Sequence, residues 1–210
     1  MTKKIAIIDY KMGNIKSVQK AFKYMGFDAE LTKSKRKIKN SFGLVLPGVG
    51  AFGDAVKNLH DAGIFELLKT EILNGKPFLG ICLGLQLLFQ KSEENKGIEG
   101  LSVFKGSVKK FKLKNLKIPH IGWNQINIVK RNSLLNNIKN NAFFYFVHSY
   151  YVLPTNKKII STTTDYGINF VSGVNKDNIF AFQFHPEKSH NEGLTIIKNF
   201  GELCVSNSGN

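Results

Sequence analysis

Cysteine is rare in this sequence: Cys82 and Cys204 are the only two among 210 residues. Two thiols, one of them close to the C-terminal end, do not make the disulfide framework of a small secreted domain, so we expect a reducing, cytoplasmic environment. There is no C-x-x-C pair, and the five histidines are scattered. The sequence therefore predicts no metal site and no cofactor.

Long apolar stretches are also lacking. The first apolar run, residues 5–8, is too short for the core of a signal peptide. No run approaches the roughly 18 residues that a membrane-spanning helix needs. We therefore expect no membrane segment, and the length predicts a single domain over residues 1–204, followed by a polar tail at 205–210.

Arginine is scarce although the chain is strongly basic. The formal net charge is +15, and among 30 lysines and arginines only Arg36 and Arg131 are arginine. Nucleic-acid sites favour arginine, because its guanidinium binds phosphates and bases through two hydrogen bonds at once. We therefore expect no nucleic-acid binding. We interpret the lysines as a solvated surface, with attraction of an anionic partner as the alternative.

The first half of the chain alternates short apolar runs with segments of helical periodicity. This alternation predicts an α/β fold, with a mostly parallel sheet flanked by helices. Shorter runs from about Gly106 to Asn175 predict additional strands, some of them antiparallel. The predicted strands are 5–10, 44–46, 77–81 and 110–114, and the predicted helices are 17–25, 54–73, the segment from the elbow to about residue 90, and 194–203.

The stretch Gly80-Ile81-Cys82-Leu83-Gly84 lies between an apolar strand and a segment of helical periodicity. Glycines on either side of a reactive residue are typical of a nucleophile elbow, a sharp strand-to-helix turn that exposes the side chain. A helix that begins at this point favours a thiolate. Cys82 is therefore a candidate nucleophile for acyl transfer, and a buried core cysteine is the alternative.

The segment Gln183-Phe184-His185-Pro186-Glu187 offers the other groups that a cysteine nucleophile requires. Pro186 favours an extended conformation at His185, and in an extended segment residues two apart share a face. We therefore expect Glu187 to orient the imidazole of His185, which would act as the base.

An oxyanion hole would complete the site. The backbone N–H of Leu83 is one natural donor, and the glycine-rich turn at residues 47–50 is a second candidate. A tight turn without a ligand is the alternative reading of these glycines. Residues 48–53 also match the G-x-G-x-x-G pattern of dinucleotide-binding proteins, but they follow a later strand than the first, which weakens that match.

Six segments of this chain resemble the class I, or triad, glutamine amidotransferases over nearly its whole length. The elbow and the His-Pro-Glu box mark the superfamily as a whole. The Pro-Gly-Val-Gly, Gly-Trp-Asn and His-Ser-Tyr segments resemble its subfamily of glutaminase subunits of imidazole glycerol phosphate synthases, which serve histidine biosynthesis. The six segments are 9–14, 46–52, 80–86, 119–124, 146–150 and 183–189.

This resemblance implies that the chain hydrolyses glutamine with a Cys-His-Glu triad. Cys82 would attack the carboxamide, His185 would act as base and then protonate ammonia, and Glu187 would orient His185. The resemblance also implies an oxyanion hole and a glutamine-binding set. The former comprises Leu83, Gly48, Val49 and Gly50, and the latter comprises Gly50, Gln86, Ser149 and Tyr150.

A heterodimer is implied as well. In the subfamily, ammonia passes to a (β/α)8-barrel cyclase subunit that forms imidazole glycerol phosphate and an aminoimidazole carboxamide ribotide. Asn14, Trp123 and Tyr145 match segments that face this partner. For Trp123, filling of the core is the alternative interpretation.

One position departs from the family pattern. Lys11 stands where these proteins usually have glycine, so it adds a charge and removes conformational freedom beside the expected docking segment. The triad is unaffected. Lys11 therefore keeps one alternative open, a paralogous glutaminase subunit that feeds ammonia to a surface-sugar amidotransferase. A stand-alone γ-glutamyl hydrolase is a second alternative, because it could use the same triad.

Overall fold

The computed structural model describes residues 4–13 and 15–206. The strands are β1 (Ile5–Ile8), β2 (Ala29–Thr32), β3 (Gly43–Gly48), β4 (Phe78–Cys82), β5 (Phe89–Ser92), β6 (Phe104–Lys110), β7 (His120–Gln125), β8 (Asn127–Ile128), β9 (Phe143–His148), β10 (Tyr150–Pro154), β11 (Ile160–Asp165), β12 (Asn169–Lys176) and β13 (Ile179–Phe182). The helices are α1 (Ile15–Tyr24), α2 (Lys35–Asn40), α3 (Phe52–Asp61), α4 (Phe65–Leu73), α5 (Leu83–Gln86) and α6 (His190–Ser206). Within the described ranges, no helix is both long and apolar enough to cross a membrane.

Most strands form one large sheet, the main sheet, in the order β2-β1-β3-β4-β13-β12-β10-β6-β5. The pairs from β2 to β13 are parallel, and β13, β12, β10 and β6 pair antiparallel with one another. Strands β7 and β9 form a separate antiparallel pair, the small sheet. The predicted α/β fold, mostly parallel with additional antiparallel strands, is confirmed.

Helices cover both faces of the parallel strands. Ala6 and Ile8 of β1 pack into one apolar cluster with residues of α3 and α4, whereas Ile5 and Ile7 pack into a second with residues of α1 and α6. Successive strand residues point to opposite faces, so a strand covered on both sides must be apolar throughout. This explains the continuous apolar runs in the first half of the sequence.

Several predicted boundaries were wrong for identifiable reasons. Strand β2 was not predicted, because it lies at the edge of the main sheet and its two central residues are only partly buried. The helix predicted over 54–73 is two helices, α3 and α4. Gly63 lies between them with φ 65°, a conformation that ends a helix.

The segment after the elbow was also assigned incorrectly. Helix α5 is a single turn, and the apolar residues that follow lead into β5, which pairs with β6. Leu87, Leu88 and Phe89 are entirely buried, so no polar face distinguishes helix from strand in this stretch. Of the strand predicted over 110–114, only Lys110 belongs to a strand.

Helix α6 begins at His190 and runs to Ser206, so it is longer than the predicted helix at each end. The first two residues of the predicted polar tail, Val205 and Ser206, are therefore helical. Residues 207–210 of that tail lie outside the described residues.

Candidate active site

Cys82 is the last residue of β4 and lies where this strand turns into α5. Its backbone angles are φ 54° and ψ −103°, a combination that the β-carbon of an L-residue disfavours. Such strain persists only where the surrounding structure imposes it, and it is concentrated at functional sites. The turn therefore has the geometry that the glycine-flanked sequence predicts.

Both glycines of the elbow are required by close approach of the backbone. A β-carbon on Gly84 would collide with the carbonyl oxygen of Leu46 in β3. A β-carbon on Gly80 would lie 2.9 Å from the carbonyl carbon of Gly84. Only glycine allows β3, β4 and α5 to pack this tightly around Cys82.

A 3-10 turn brings Glu187 to His185. The Nδ1–H of His185 donates to Oε1 of Glu187 over 2.8 Å, and both side chains are almost fully buried. The backbone of His185 is extended, as expected, but Pro186–Lys188 then forms the 3-10 turn. The expected neighbours are thus together, although not through the extended segment that we predicted.

Bonds to the small sheet hold His185 in place. Its backbone N–H donates to the carbonyl oxygen of Tyr145 over 2.9 Å. The hydroxyl of Ser189 donates to the carbonyl oxygen of His185 over 2.6 Å and accepts from the N–H of Tyr145 over 3.0 Å. The backbone of His185, which follows β13 of the main sheet, is therefore tied to the middle of β9 in the small sheet.

The imidazole of His185 favours its protonated form. Burial lowers the pKa of His185, but the neighbouring Cys82 and Glu187 outweigh burial and raise that pKa to about 10. Nε2 of His185 is buried and has no hydrogen-bond partner within the described residues. A protonated imidazole beside a cysteine favours the thiolate form and can supply a proton to a leaving group.

The turn after β3 lies beside Cys82. Gly48 is in register with Cys82 across the parallel pair β3–β4, and a β-carbon on Gly48 would collide with the hydroxyl of Tyr10. That hydroxyl donates to the carbonyl oxygen of Pro47 over 2.8 Å. Burial and the neighbouring Cys82 raise the pKa of Tyr10, so it remains a neutral donor that holds the turn.

A cavity of about 270 Å³ opens in front of the thiol. It brings together the predicted glutamine-binding residues and three of the four predicted oxyanion residues. Gly50 has φ 116°, a conformation that suits glycine. The cavity is lined by Val49, Gly50, Cys82, Leu83, Gln86, Glu94, Pro119, Val147, His148, Ser149 and Tyr150. Because Gly50 lines this cavity and Gly53 lies in the first turn of α3, nothing favours the dinucleotide-binding alternative.

Sequence reasoning missed Glu94, which lines the cavity. Its Oε2 accepts the backbone N–H of Phe52 over 2.8 Å, at the first turn of α3, where a carboxylate is favourable. The next residue, Asn95, accepts the N–H of Gly53 over 2.9 Å. No local pattern identifies Glu94, because it comes from a loop that only the fold brings to the mouth of the site.

Two further groups were missed behind the thiol. Gln183 lies in the segment that contains the His-Pro-Glu box, yet roles were assigned from the sequence only to His185 and Glu187. His148 belongs to the His-Ser-Tyr segment and lines the cavity. Their amide and imidazole groups are engaged in a buried hydrogen-bond network that ends at Cys82.

The small sheet has one buried and one exposed face. Trp123 lies opposite Tyr145 in register, with ring centroids 6.1 Å apart, and is 44% exposed. It also stacks on His190, with centroids 4.8 Å apart. The core interpretation of Trp123 is therefore wrong. Ile121 and Phe143 on the same sheet are 60% and 53% exposed. The third predicted interface residue, Asn14, lies outside the described residues.

Comparison with known proteins agrees with this geometry. The glutamine amidotransferase class-I family matches residues 6–203. The chain is 53% identical over 199 residues to the imidazole glycerol phosphate synthase subunit HisH of Caldanaerobacter subterraneus subsp. tengcongensis, covering 95% of this chain and 98% of that protein. It is 50% identical over 201 residues to the same subunit of Pyrococcus furiosus, covering 95% and 99% of the two chains.

A solved structure supports the fold independently. The crystal structure of a glutamine amidotransferase superimposes with a TM-score of 0.72, covering 96% of this chain and 98% of that one at 16% identity. The family match extends over nearly the whole chain, and the curated relatives match it at close to their full length. The chain belongs to the class-I glutamine amidotransferases and, within them, to the HisH family.

Proposed function

We propose that this chain is the glutaminase subunit of an imidazole glycerol phosphate synthase, acting in histidine biosynthesis in the cytoplasm. It hydrolyses glutamine to glutamate and ammonia, and it passes the ammonia to a cyclase subunit. One observation carries the chemical part of the proposal: a strained cysteine faces a cavity and interacts electrostatically with a buried His185–Glu187 pair. The near-full-length similarity to HisH subunits supports the pathway.

In the proposed reaction, the thiolate of Cys82 attacks the carboxamide carbon of glutamine. Negative charge develops on the carboxamide oxygen, where the N–H of Leu83 and the turn at Gly48, Val49 and Gly50 would stabilise it. His185 gives its Nε2 proton to the leaving nitrogen as the C–N bond breaks, which releases ammonia and leaves a glutamyl thioester.

Water then completes the cycle. The neutral His185 takes a proton from the attacking water, the C–S bond breaks, and glutamate leaves with Cys82 restored as a thiolate. Glu187 holds the Nδ1 hydrogen throughout, so that Nε2 remains the nitrogen that exchanges protons. Gly50, Gln86, Ser149 and Tyr150 would bind the glutamine, since all of them line the cavity.

The exposed face of the small sheet is the proposed docking surface for the cyclase, which we expect to be a (β/α)8 barrel. Ile121, Trp123 and Phe143 expose apolar side chains there, as an interface core requires. The surface is close to the chemistry: the carbonyl oxygen of Val147 in β9 is 4.0 Å from Sγ of Cys82. Ammonia would pass to the cyclase near β9, and the cyclase would use it to form imidazole glycerol phosphate and the carboxamide ribotide.

Lys11 is the observation that keeps a paralogous acceptor subunit as the second candidate. It takes φ 64°, which is strained for a side-chain-bearing residue, close to the expected docking segment. A stand-alone γ-glutamyl hydrolase is less well supported, because it would have no use for an exposed apolar sheet beside the active site.

Glutamate release by the chain alone and with the histidine-pathway cyclase plus its ribonucleotide substrate tests the proposal. Strong stimulation by the cyclase is expected. Little activity in both conditions would contradict this pathway and favour a different acceptor, and full activity of the isolated chain would favour an independent hydrolase.

Trp123→Ala sharpens the test of the docking surface. Truncating a central aromatic interface residue should weaken cyclase binding by about tenfold or more, which titration calorimetry measures. Tyr24→Ala is the matched control, because Tyr24 is 78% exposed at the end of α1, away from the small sheet. Equal binding of the cyclase by both variants would place the docking surface elsewhere.

A further inference from the structure

Gln183 lies directly behind the proposed nucleophile. Its side chain is fully buried, and its Nε2 donates to Sγ of Cys82 over 3.5 Å. Its Oε1 accepts from Nε2 of Gln86 over 3.3 Å. None of the roles assigned above to the triad, the oxyanion turn or the glutamine-binding residues accounts for this amide.

The direction of the amide follows from a group that can only accept. The carbonyl oxygen of Tyr150 lies 3.3 Å from Nε2 of Gln86 and accepts from it. A carbonyl cannot donate, so Gln86 must turn its NH2 toward Tyr150. The second hydrogen of that NH2 then points to Gln183, so the side-chain oxygen of Gln183 must be the acceptor. The NH2 of Gln183 is therefore the group that faces the sulfur.

The carbonyl oxygen of Tyr150 also accepts a hydrogen bond from a residue of the small sheet. Nδ1–H of His148 donates to the carbonyl oxygen of Tyr150 over 2.8 Å, so Nε2 of His148 accepts from Nδ1 of His120 over 3.0 Å. Nε2 of His120 accepts in turn from the amide of Asn124 over 3.3 Å. The carbonyl group of Tyr150, which can only accept, thus determines every donor and acceptor in this series of hydrogen bonds.

The imidazoles of His148 and His120 are both neutral, as this pattern of hydrogen bonds requires. Burial lowers the pKa of His148 to about 3, with the neighbouring His120 and His185 also lowering it and the bond to Tyr150 opposing them. Burial also lowers the pKa of His120, to about 4. The network therefore keeps one arrangement across the physiological pH range.

We propose that Gln183 is a catalytic residue of the glutaminase reaction, which donates a hydrogen bond to the Cys82 sulfur and supports its thiolate before attack. The proposal rests on the proposed function, in which Cys82 is the nucleophile. A hydrogen bond to an ionised group is stronger than one to its neutral form, so the amide favours the thiolate over the thiol. It also holds the sulfur at one position in front of the cavity.

Gln86 and Tyr150 act on the sulfur through Gln183, as positioning groups, in addition to lining the cavity.

Gln183→Met tests this role, because methionine fills a similar volume and has no N–H to donate. We expect alkylation of Cys82 by iodoacetamide at neutral pH, followed by mass spectrometry of the Cys82 peptide, to slow by about three- to tenfold. With the cyclase present, kcat for glutamine should fall to a similar extent, and KM should change by less than about twofold.

Gln90→Met is the matched control for the substitution. Gln90 lies exposed on β5, away from the cavity, and its Oε1 accepts from the N–H of Gly106. Alkylation and kcat of this variant should equal those of the wild type. A purely structural role of Gln183 would lower the urea midpoint of Gln183→Met and leave alkylation of the folded variant at the wild-type rate, which would overturn the proposal.

A second measurement needs no substitution at Gln183. In a 15N-labelled chain, the side-chain amide protons of Gln183 should shift upfield in Cys82→Ala relative to wild type, because the acceptor sulfur is gone. An unchanged resonance would overturn the inference even if Gln183→Met fails to fold. Wild-type glutaminase activity in Cys82→Ala would overturn the proposed function instead, so the two failures are distinguishable.

Discussion

Cys82 stands on the main sheet, whereas His185 rests against the small sheet. The position of Cys82 is imposed by its own backbone: a strained φ and two glycines packed between β3, β4 and α5. The position of His185 depends on bonds to β9, through the backbone of Tyr145 and the hydroxyl of Ser189. Cys82 is therefore held by close backbone packing within the main sheet, whereas His185 is held by hydrogen bonds to the small sheet.

The two sheets also differ in what covers them. Both faces of β1, β3 and β4 are buried under helices, so substitutions there act first on stability. The small sheet leaves Ile121, Trp123 and Phe143 exposed on one face. A partner that docks on that face would contact the sheet to which His185, the proposed base, is hydrogen-bonded, whereas Cys82, the proposed nucleophile, stays within the core.

The largest expected effect concerns the nucleophile. Cys82→Ala should lower glutamate release by at least about a thousandfold, because it removes the proposed nucleophile. Circular dichroism should show an intact fold. Cys204→Ala is the matched control: Cys204 is buried against Gly43, where burial raises its thiol pKa and keeps it inert. It should keep full kcat and lose about 1–2 kcal/mol of unfolding free energy. Loss of activity in Cys204→Ala would contradict the assignment of catalysis to Cys82 alone.

The base side should respond next. His185→Ala should lower kcat by about a hundred- to ten-thousandfold, because it removes the group that transfers protons. Glu187→Gln should cost less, since the amide oxygen of glutamine still accepts the Nδ1 hydrogen of His185. Steady-state kinetics with the cyclase present measure both. A larger loss in Glu187→Gln than in His185→Ala would contradict the assigned roles.

Ser189→Ala isolates the support that the small sheet gives to His185. The substitution removes two hydrogen bonds, one to the carbonyl of His185 and one from the N–H of Tyr145. We expect kcat to fall by about three- to tenfold, because the two bonds together contribute about 1 kcal/mol to the position of the proposed base. Ser41→Ala removes a comparable bond, to Ile38, at the end of α2, and should leave kcat unchanged. Identical kinetics of the two variants would mean that β9 does not position the imidazole.

The smallest effect is the dependence of stability on pH. Burial lowers the pKa of His185, but Cys82 and Glu187 raise it to about 10, above the ordinary value of 6.5. The protonated imidazole therefore stabilises the folded state. This contribution is complete below about pH 6.5 and is lost as the pH rises through about 10.

Urea unfolding of wild type and His185→Asn at about pH 6 and about pH 10 measures that contribution. The difference in unfolding free energy between the two proteins should be larger at the lower pH. In a Cys82→Ala background the change with pH should be smaller, because one of the groups that raise the pKa of His185 is absent. A difference that grows toward pH 10 would reverse the assigned direction.

The elements that the sequence predicted well are those in which the signal is local. The elbow needs two glycines and an apolar strand within a few positions of Cys82, and Glu187 lies two positions from His185. Boundaries failed where burial removes the polar face, as at Leu87–Phe89, or where one glycine divides a helical pattern, as at Gly63. Glu94 and Gln183 could not be assigned roles in advance, since each acts on residues that are distant in sequence.

By itself, the sequence indicated the α/β alternation, the sharp turn at Cys82 and the pairing of His185 with Glu187, because residues close in sequence carry each of these signals. The tertiary structure alone decided that β9 bonds to the backbone of His185, that Trp123 is exposed rather than in the core, and that the amide of Gln183 faces the sulfur. Those outcomes depend on which strands pair and in what register. Pairing is selected by the burial of the whole chain, and no short segment carries that information.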